Sequence, residues 1–127
     1  DVSPRVEAYL ARQEAGSLAV SHWTRVEFCS LVAREVRMKH FSHRTADAVI
    51  AEFEAVVRES CQVWLPVAAD YELARTLLAT YESNLRGGDA LHLAIARNRR
   101  AEKILTLDVG LLKAAKRLEI PAARGIR

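Results

Sequence analysis

Short apolar runs alternate with longer amphipathic segments along this chain, and no other feature of the sequence constrains the fold as strongly. Each run has the length of a buried strand, and each longer segment has the spacing of a helix. Strands that alternate with one or two helices predict an α/β fold with a mostly parallel central sheet flanked by helices. The four predicted strands are SLAVS (17–21), CQVWLP (61–66), KILTL (103–107) and a last one near 121–123.

The amphipathic segments repeat their apolar residues at helical spacing. In HRTADAVIAEFEAVVRES, four apolar residues form one side of a predicted helix whose candidate N-cap is Ser42. These apolar residues are Ala46, Ile50, Phe53 and Val57. Helices are predicted over 3–16, 23–38, 42–59, 68–82 and 109–120, together with one that begins at Asp89.

The composition indicates one compact domain over residues 1–127. Half of the residues are hydrophobic and only five glycines and three prolines interrupt the chain, which excludes a disordered protein. The sequence has no long apolar run and no signal-peptide pattern, so no membrane association is expected. Cys29 and Cys61 lie far apart in unlike contexts, so we expect both to be small buried residues of a reducing cytosol.

Three acidic residues lie where a parallel sheet binds its ligands. Asp108 comes directly after KILTL, and Glu27 lies on the helix that leaves SLAVS. Asp89 begins a helix after Gly87 and Gly88, whose missing side chains let a backbone or a ligand come close. Because ligands bind beyond the carboxyl ends of parallel strands, we expect the three carboxylates to converge on one rim.

Each acid also has a purely structural interpretation. Asp108 and Asp89 suit N-cap or helix-dipole roles, and a glutamate such as Glu27 is usually solvated. That interpretation is weakest for Glu27, because its neighbours Val26 and Phe28 place it near an apolar face where an unpaired charge is costly.

Converging carboxylates predict a divalent cation between them. Such groups repel one another and raise each other's pKa unless a cation neutralises them. Oxygen ligands favour Mg²⁺ or Mn²⁺ over zinc. Two such ions, roughly 3.5–4 Å apart, polarise a phosphodiester, generate hydroxide and stabilise the leaving oxygen. The predicted chemistry is therefore phosphodiester hydrolysis.

Three segments resemble signature segments of the PIN-domain ribonucleases, specifically the VapC toxins of bacterial toxin–antitoxin pairs. The segments are SHWTRVEF (21–28), LRGGDALHLAIA (85–96) and ILTLDVGLLKAAKRLEI (104–120), and the similarity covers nearly the whole chain. The resemblance implies a PIN-like three-layer α/β/α fold and a Mg²⁺- or Mn²⁺-dependent endoribonuclease toxin of the cytoplasm. It also implies that Glu27, Asp89 and Asp108 are three of the family's four metal-binding acids.

The resemblance further implies an RNA substrate, a homodimer and a cognate VapB-type antitoxin whose peptide lies in a groove near the acids. The predicted helices at 23–38 and 42–59 carry more apolar surface than one sheet face needs, which suits an amphipathic partner. This surface includes Trp23, Val36, Met38 and Phe41. Burial in the core of the chain itself is the alternative for these side chains.

The sequence departs from the family pattern at its start. PIN domains open with a central strand that ends in an aspartate followed by a small residue and then serine or threonine, and no such strand precedes Asp1. We therefore expect the native N-terminal strand and first helix, about a dozen residues or more, to be missing here. A catalytically inactive PIN-like binding or dimerisation module is the alternative, and a flavodoxin-like regulatory domain with an acidic Mg²⁺ pocket fits KILTLD poorly.

Basic residues near helix ends are candidate RNA contacts. The formal net charge is +3 and the sequence pI about 9.1, which suits a polyanionic partner without requiring one. We expect Arg86, Arg97 and Arg100 to contact phosphates, although cations at helix C-termini are also explained by the helix dipole. The hydroxyls of Ser21 and Thr106 are weaker candidates for orienting a carboxylate, and His92 is left out of the predicted catalytic set.

Overall fold

A computed structural model describes residues 18–102, 104–106 and 109–124, with the backbone alone at 105, 106, 109, 110 and 124. The helix predicted over 3–16 lies outside these residues. The described residues form two compact units, one within Arg12–Leu65 and one within Pro66–Arg127. In chain order the elements are β1 (Leu18–Ser21), α1 (His22–Arg37), α2 (His43–Ser60), β2 (Cys61–Trp64), α3 (Ala68–Leu78), a 3₁₀ turn (Tyr81–Ser83), α4 (Gly87–Asn98), β3 (Ile104–Thr106), α5 (Val109–Arg117) and β4 (Ala122–Arg124).

The first unit is a parallel strand pair connected by two helices. β1 pairs with β2 in a register that places Leu18 opposite Cys61 and Ser21 opposite Trp64. Parallel strands require a long crossover, and α1 with α2 provides it. The α/β class with parallel strands, predicted from the alternation of apolar runs and amphipathic segments, is confirmed.

The two helices of the first unit pack through aromatic and charged side chains. The rings of Phe28 and Phe53 stack with centroids 4.0 Å apart and an interplanar angle of 12°. Arg25 donates from Nε and Nη2 to the carboxylate of Glu54, with the Nη2–Oε2 distance at 2.9 Å. The hydrogen bond from Arg25 and the negative charge of Glu54 together raise the pKa of the guanidinium. Both contacts join α1 to α2.

A serine is the N-cap residue of both helices of the first unit. The Oγ of Ser42 accepts from the backbone N–H of Thr45 at 3.0 Å, so the predicted N-cap is confirmed. The predicted apolar stripe of α2 also faces inward, with Ala46 and Val57 buried and the two stripe residues between them half-buried. Local side-chain hydrogen bonds and amphipathic spacing therefore agree in defining α2.

The second unit is built around α4. Ala90, Leu93 and Ala94 are completely buried, and their helix neighbours at 91, 95 and 96 are buried as well. A helix that is apolar on all sides belongs in a core. α3 packs along α4 and buries Ala74 and Leu77. β3 pairs with β4 in parallel, with α5 as the crossover between them.

Two helices end earlier than their spacing predicts. The helix predicted over 68–82 ends at Leu78, and a 3₁₀ turn follows at Tyr81–Ser83, where the Oγ of Ser83 donates to the carbonyl of Thr80 at 2.8 Å. The helix predicted to reach 120 ends at Arg117. No helix in the described ranges is long and apolar enough to cross a bilayer.

The prediction that both cysteines are buried is wrong for Cys29. Cys29 is exposed on α1, one turn after Val26, which is itself 58% exposed. Its position is therefore on a side of the helix that faces solvent. Cys61 at the start of β2 is half-buried, and burial raises the pKa of its thiol.

Three of the described helices end in the same backbone motif, and in each a residue other than glycine adopts the left-handed conformation. In α4 the N–H of Ala101 donates to the carbonyl of Ala96 at 2.9 Å, and the preceding residue adopts the left-handed conformation, which defines a Schellman cap. α1 and α5 end in the same way. The left-handed residues are Lys39, Arg100 and Glu119, with φ of 61°, 54° and 58°. Glycine is the usual residue at this position, so each of these side chains is held at a conformational cost.

Candidate active site

Glu27 lies on α1, which leaves the carboxyl end of β1, as predicted. Ser21 ends the strand and caps the helix, because its Oγ accepts from the N–H of Thr24 at 3.1 Å. The observed role of the Ser21 hydroxyl is therefore helix capping. Glu27 follows in the second turn and is half-buried. Its burial is partial, which is compatible with access by a cation from solvent.

Asp89 lies in the first turn of α4 and is half-buried. The N-cap of α4 is Arg86, whose side chain makes no capping hydrogen bond, so Asp89 is the acidic residue that faces the positive end of this helix. Among the described residues, no atom lies within 4 Å of the position that a Cβ at Gly87 would take. The described surroundings of Gly87 are therefore open, as predicted for this glycine.

Asp108 lies outside the described residues. The chain around it follows the predicted order, because β3 ends at Thr106 and α5 begins at Val109. Of Thr106, the last residue of β3, the structure describes the backbone alone.

The two described acids belong to different units. Glu27 is in the first unit and Asp89 is in the second. In the described ranges, which contain two of the three predicted ligands, no group of three or more His, Cys, Asp and Glu side chains is suitably arranged for a metal. The convergence of all three carboxylates remains a prediction. His92, one turn after Asp89 on α4, is half-buried.

Asp70 is a buried acid that the sequence analysis missed. It is completely buried in the first turn of α3 and accepts two hydrogen bonds of 2.8 Å, from the N–H of Val67 and from Nδ2 of Asn98. An acid at the third helical position that reaches back to the N-cap backbone is half of a capping box, and this signal was available in VAAD (67–70). Both of its oxygens have partners, so Asp70 is a structural residue.

The three predicted RNA contacts divide between the two ends of α4. Arg86 is exposed at the start of the helix, and Arg97 lies about 16 Å further along the axis, at 1.5 Å per residue. Arg97 and Arg100 are exposed and border one cavity of about 160 Å³ at the end of the helix. The structure therefore brings two of the three arginines together.

Comparison with known proteins identifies one family. The sequence model of the PIN domain family matches residues 2–117. This range is most of the chain and includes Glu27, Asp89 and Asp108. No curated protein and no solved structure matches the chain significantly.

Proposed function

Because the chain belongs to the PIN domain family, we propose that it is a Mg²⁺- or Mn²⁺-dependent endoribonuclease toxin of the VapC type. PIN domains are generally nucleases, which supports hydrolysis of a phosphodiester bond. The observation that carries the proposal is the family match across residues 2–117, a range in which Glu27 and Asp89 occupy the element positions predicted for them.

The proposed ligands are Glu27, Asp89 and Asp108. All three provide carboxylate oxygens, the donor type that Mg²⁺ and Mn²⁺ prefer. Glu27 and Asp89 are half-buried, so neither residue is enclosed in the core. When bound, the ion supplies a Lewis acid and an activated water for attack on the phosphodiester.

The residues around Asp89 suit the approach of an anionic substrate. The open space beside Gly87 lets a phosphate approach the start of α4, where backbone N–H groups point outward. Arg86, exposed just before the helix, is in position to donate to phosphate oxygens. The substrate is therefore proposed to be RNA, held by its backbone at this end of α4.

The proposed partners are a second copy of the chain and a cognate VapB-type antitoxin in the cytoplasm. Among the apolar residues predicted to form a partner surface, Met38, the C-cap of α1, is 49% exposed, and Val26 and Leu31 within α1 are 58% and 60% exposed. Exposed large apolar side chains on one helix support a protein–protein interface. Other residues of the predicted partner surface are partly buried within the chain itself, because Trp23, Val36 and Phe41 are half-buried.

The proposal is tested by RNA cleavage with a matched pair of variants. The purified protein is expected to cleave single-stranded RNA with Mg²⁺ or Mn²⁺ and to stop when EDTA is added. Asp89→Asn is expected to lower the rate by about 100-fold or more, because loss of a residue that only hydrogen-bonds to a metal ligand already changes activity by about 10–100-fold. Asp47→Asn, an equivalent change at an exposed position of α2, is expected to leave the rate unchanged.

The toxin role is tested in cells. Expression is expected to stop bacterial growth, and Asp89→Asn is expected to relieve the arrest. Cleavage that continues in EDTA would contradict the metal dependence. RNA binding without any cleavage by the natural protein would instead support the inactive binding module.

A further inference from the structure

A small amphipathic cavity lies at the C-terminal end of α4, at the opposite end of the helix from Asp89. It has a volume of about 160 Å³, and apolar residues, two arginines and one glutamate line it. The lining residues are Ala96, Arg97, Arg100, Ala101, Glu119, Ile120 and Pro121. Along the axis of α4, Arg97 at this cavity lies about 12 Å from Asp89, at 1.5 Å per residue.

The charges that border this cavity are not compensated by one another. Within the described residues, the guanidinium groups of Arg97 and Arg100 make no ion pair, and Glu119 forms none with either of them. Both arginines are exposed. Two unpaired guanidinium groups at one cavity are donors for phosphate oxygens, which arginine binds in bidentate geometry.

The cationic surface continues past the cavity. Glu119, Ile120 and Pro121 also line a second, wider cavity of about 490 Å³, which Lys116 borders as well. A strand of nucleic acid that passes from one cavity to the other meets the two arginines of the first and Lys116 of the second, an arrangement that suits a phosphate backbone.

The backbone holds two of these charged side chains at the cavity against its own preference. Arg100 and Glu119 are the left-handed residues of the Schellman caps that end α4 and α5. Glycine suits this position better, yet two charged residues occupy it on the same cavity.

We propose that this cavity binds one nucleotide of the substrate RNA, as a subsite at the opposite end of α4 from Asp89. The apolar floor receives the face of a base, and Arg97 and Arg100 donate to the adjacent phosphate. The carboxylate of Glu119 accepts a hydrogen bond from an amino or hydroxyl group of the same nucleotide. The inference rests on the proposed function, because that function makes single-stranded RNA the substrate.

The test measures RNA binding without cleavage. A fluorescein-labelled single-stranded oligoribonucleotide of mixed sequence is titrated with the full protein in EDTA at several KCl concentrations, and fluorescence anisotropy gives the binding constant. Arg97→Gln and Arg100→Gln are each expected to weaken binding and to reduce the slope of log K against log[KCl] by about 0.7, the value for one lost phosphate contact on a single strand. Arg44→Gln, the same charge change at an exposed position of α2, is expected to leave the slope unchanged.

A second variant separates binding from folding. Arg100→Gly removes the side chain at a left-handed position that glycine adopts freely, so it is expected to keep the fold and lose the phosphate contact. Lys39→Gly is the matched backbone control, because Lys39 occupies the same position of the cap in α1. Equal slopes for Arg100→Gly, Lys39→Gly and the natural protein would overturn the subsite.

Two further outcomes discriminate the ligand and the proposed function. Poly-glutamate provides the first of these outcomes. If it displaced the labelled RNA from the cavity as effectively as unlabelled RNA does, the result would overturn the nucleotide assignment in favour of an acidic peptide. Metal-dependent cleavage that requires Asp89, combined with unchanged slopes for both arginine variants, would overturn the subsite and leave the nuclease. Reduced slopes in a protein that cleaves no RNA would support the subsite and contradict the nuclease.

Discussion

Asn98, the last residue of α4, donates a hydrogen bond of 2.8 Å from its Nδ2 to Oδ1 of Asp70 in the first turn of α3. The other oxygen of Asp70 accepts from the N–H of Val67, also at 2.8 Å. A completely buried carboxylate is stable only when its oxygens have such partners. The pair therefore ties the start of α3 to the end of the helix that carries Asp89.

This contact predicts a large cost for a small change. Asp70→Ala is expected to lower the free energy of unfolding by about 2–3 kcal/mol, because the N–H of Val67 and Nδ2 of Asn98 lose their carboxylate acceptor. Asn98→Ala is expected to cost about 1–3 kcal/mol, since it leaves one buried carboxylate oxygen without a donor. Urea unfolding measures both, and the double variant should cost at least about 0.5 kcal/mol less than their sum.

Glu72→Gln provides the control on the same helix. Glu72 is exposed and pairs with Arg75 at 2.8 Å, a surface contact worth about 0–1 kcal/mol. An Asp70→Ala variant no less stable than Glu72→Gln would contradict the role of the buried pair.

The left-handed caps predict a stabilising substitution. Lys39→Gly is expected to raise the free energy of unfolding by about 1 kcal/mol, because a left-handed conformation costs an L-residue roughly 1–2 kcal/mol and glycine loses part of that gain through its freer unfolded state. Arg37→Gly, two residues earlier in the last turn of α1, should lower stability by about 1 kcal/mol. Chemical unfolding that shows both glycines destabilising would contradict the strain assigned to Lys39.

Local signals in the sequence predict most of the elements of this fold. The four strands coincide with the four apolar runs, and Ser42 caps its helix as a serine before an amphipathic segment should. The helical spacing of 68–82 continues past Leu78, but the regular helix ends there and a 3₁₀ turn follows at Tyr81–Ser83. Capping and periodicity are short-range, so they are readable from the sequence. The position at which a turn replaces a helix is harder to read from the sequence.

Features that depend on distant partners are not readable in the same way. The burial of Asp70 requires Asn98, which is 28 residues away in the sequence. The shared cavity of Arg97 and Glu119 requires the ends of two helices to meet. Of the proposed metal site, the sequence predicts which element carries Glu27 and which carries Asp89. The predicted convergence of these residues depends on long-range packing that no local pattern encodes.

The two cysteines predict unequal reactivity. Cys29 is exposed and is expected to react with iodoacetamide in the native protein, whereas Cys61 is half-buried and has a raised thiol pKa, so it should react severalfold more slowly. Mass spectrometry after timed alkylation locates the label. Equal rates in the native protein, or a faster rate at Cys61, would contradict the partial burial of Cys61. Urea should make the two rates equal.

The raised pKa of Cys61 also sets the sign of a pH effect. The unfolded thiol ionises near pH 8.5, whereas the folded thiol keeps its proton to higher pH because burial disfavours the thiolate. The unfolded state therefore binds fewer protons above about pH 8.5, and stability is expected to fall as the pH rises through this range. Cys61→Ala should flatten the decline in urea unfolding measured between neutral and alkaline pH, and a decline unchanged by the substitution would assign it to other groups.

Metal binding at the proposed site predicts a stability change that is independent of catalysis. A ligand that binds only the folded state raises the free energy of unfolding by about 1.4 kcal/mol for each tenfold increase above its dissociation constant. The unfolding temperature is therefore expected to rise with Mg²⁺ or Mn²⁺, and Asp89→Asn should remove the rise because it replaces a carboxylate ligand. Asp47→Asn, on an exposed part of α2, should keep it. A rise of equal size in both variants would place the ion elsewhere on the protein, since the two substitutions remove the same formal charge and differ only in position.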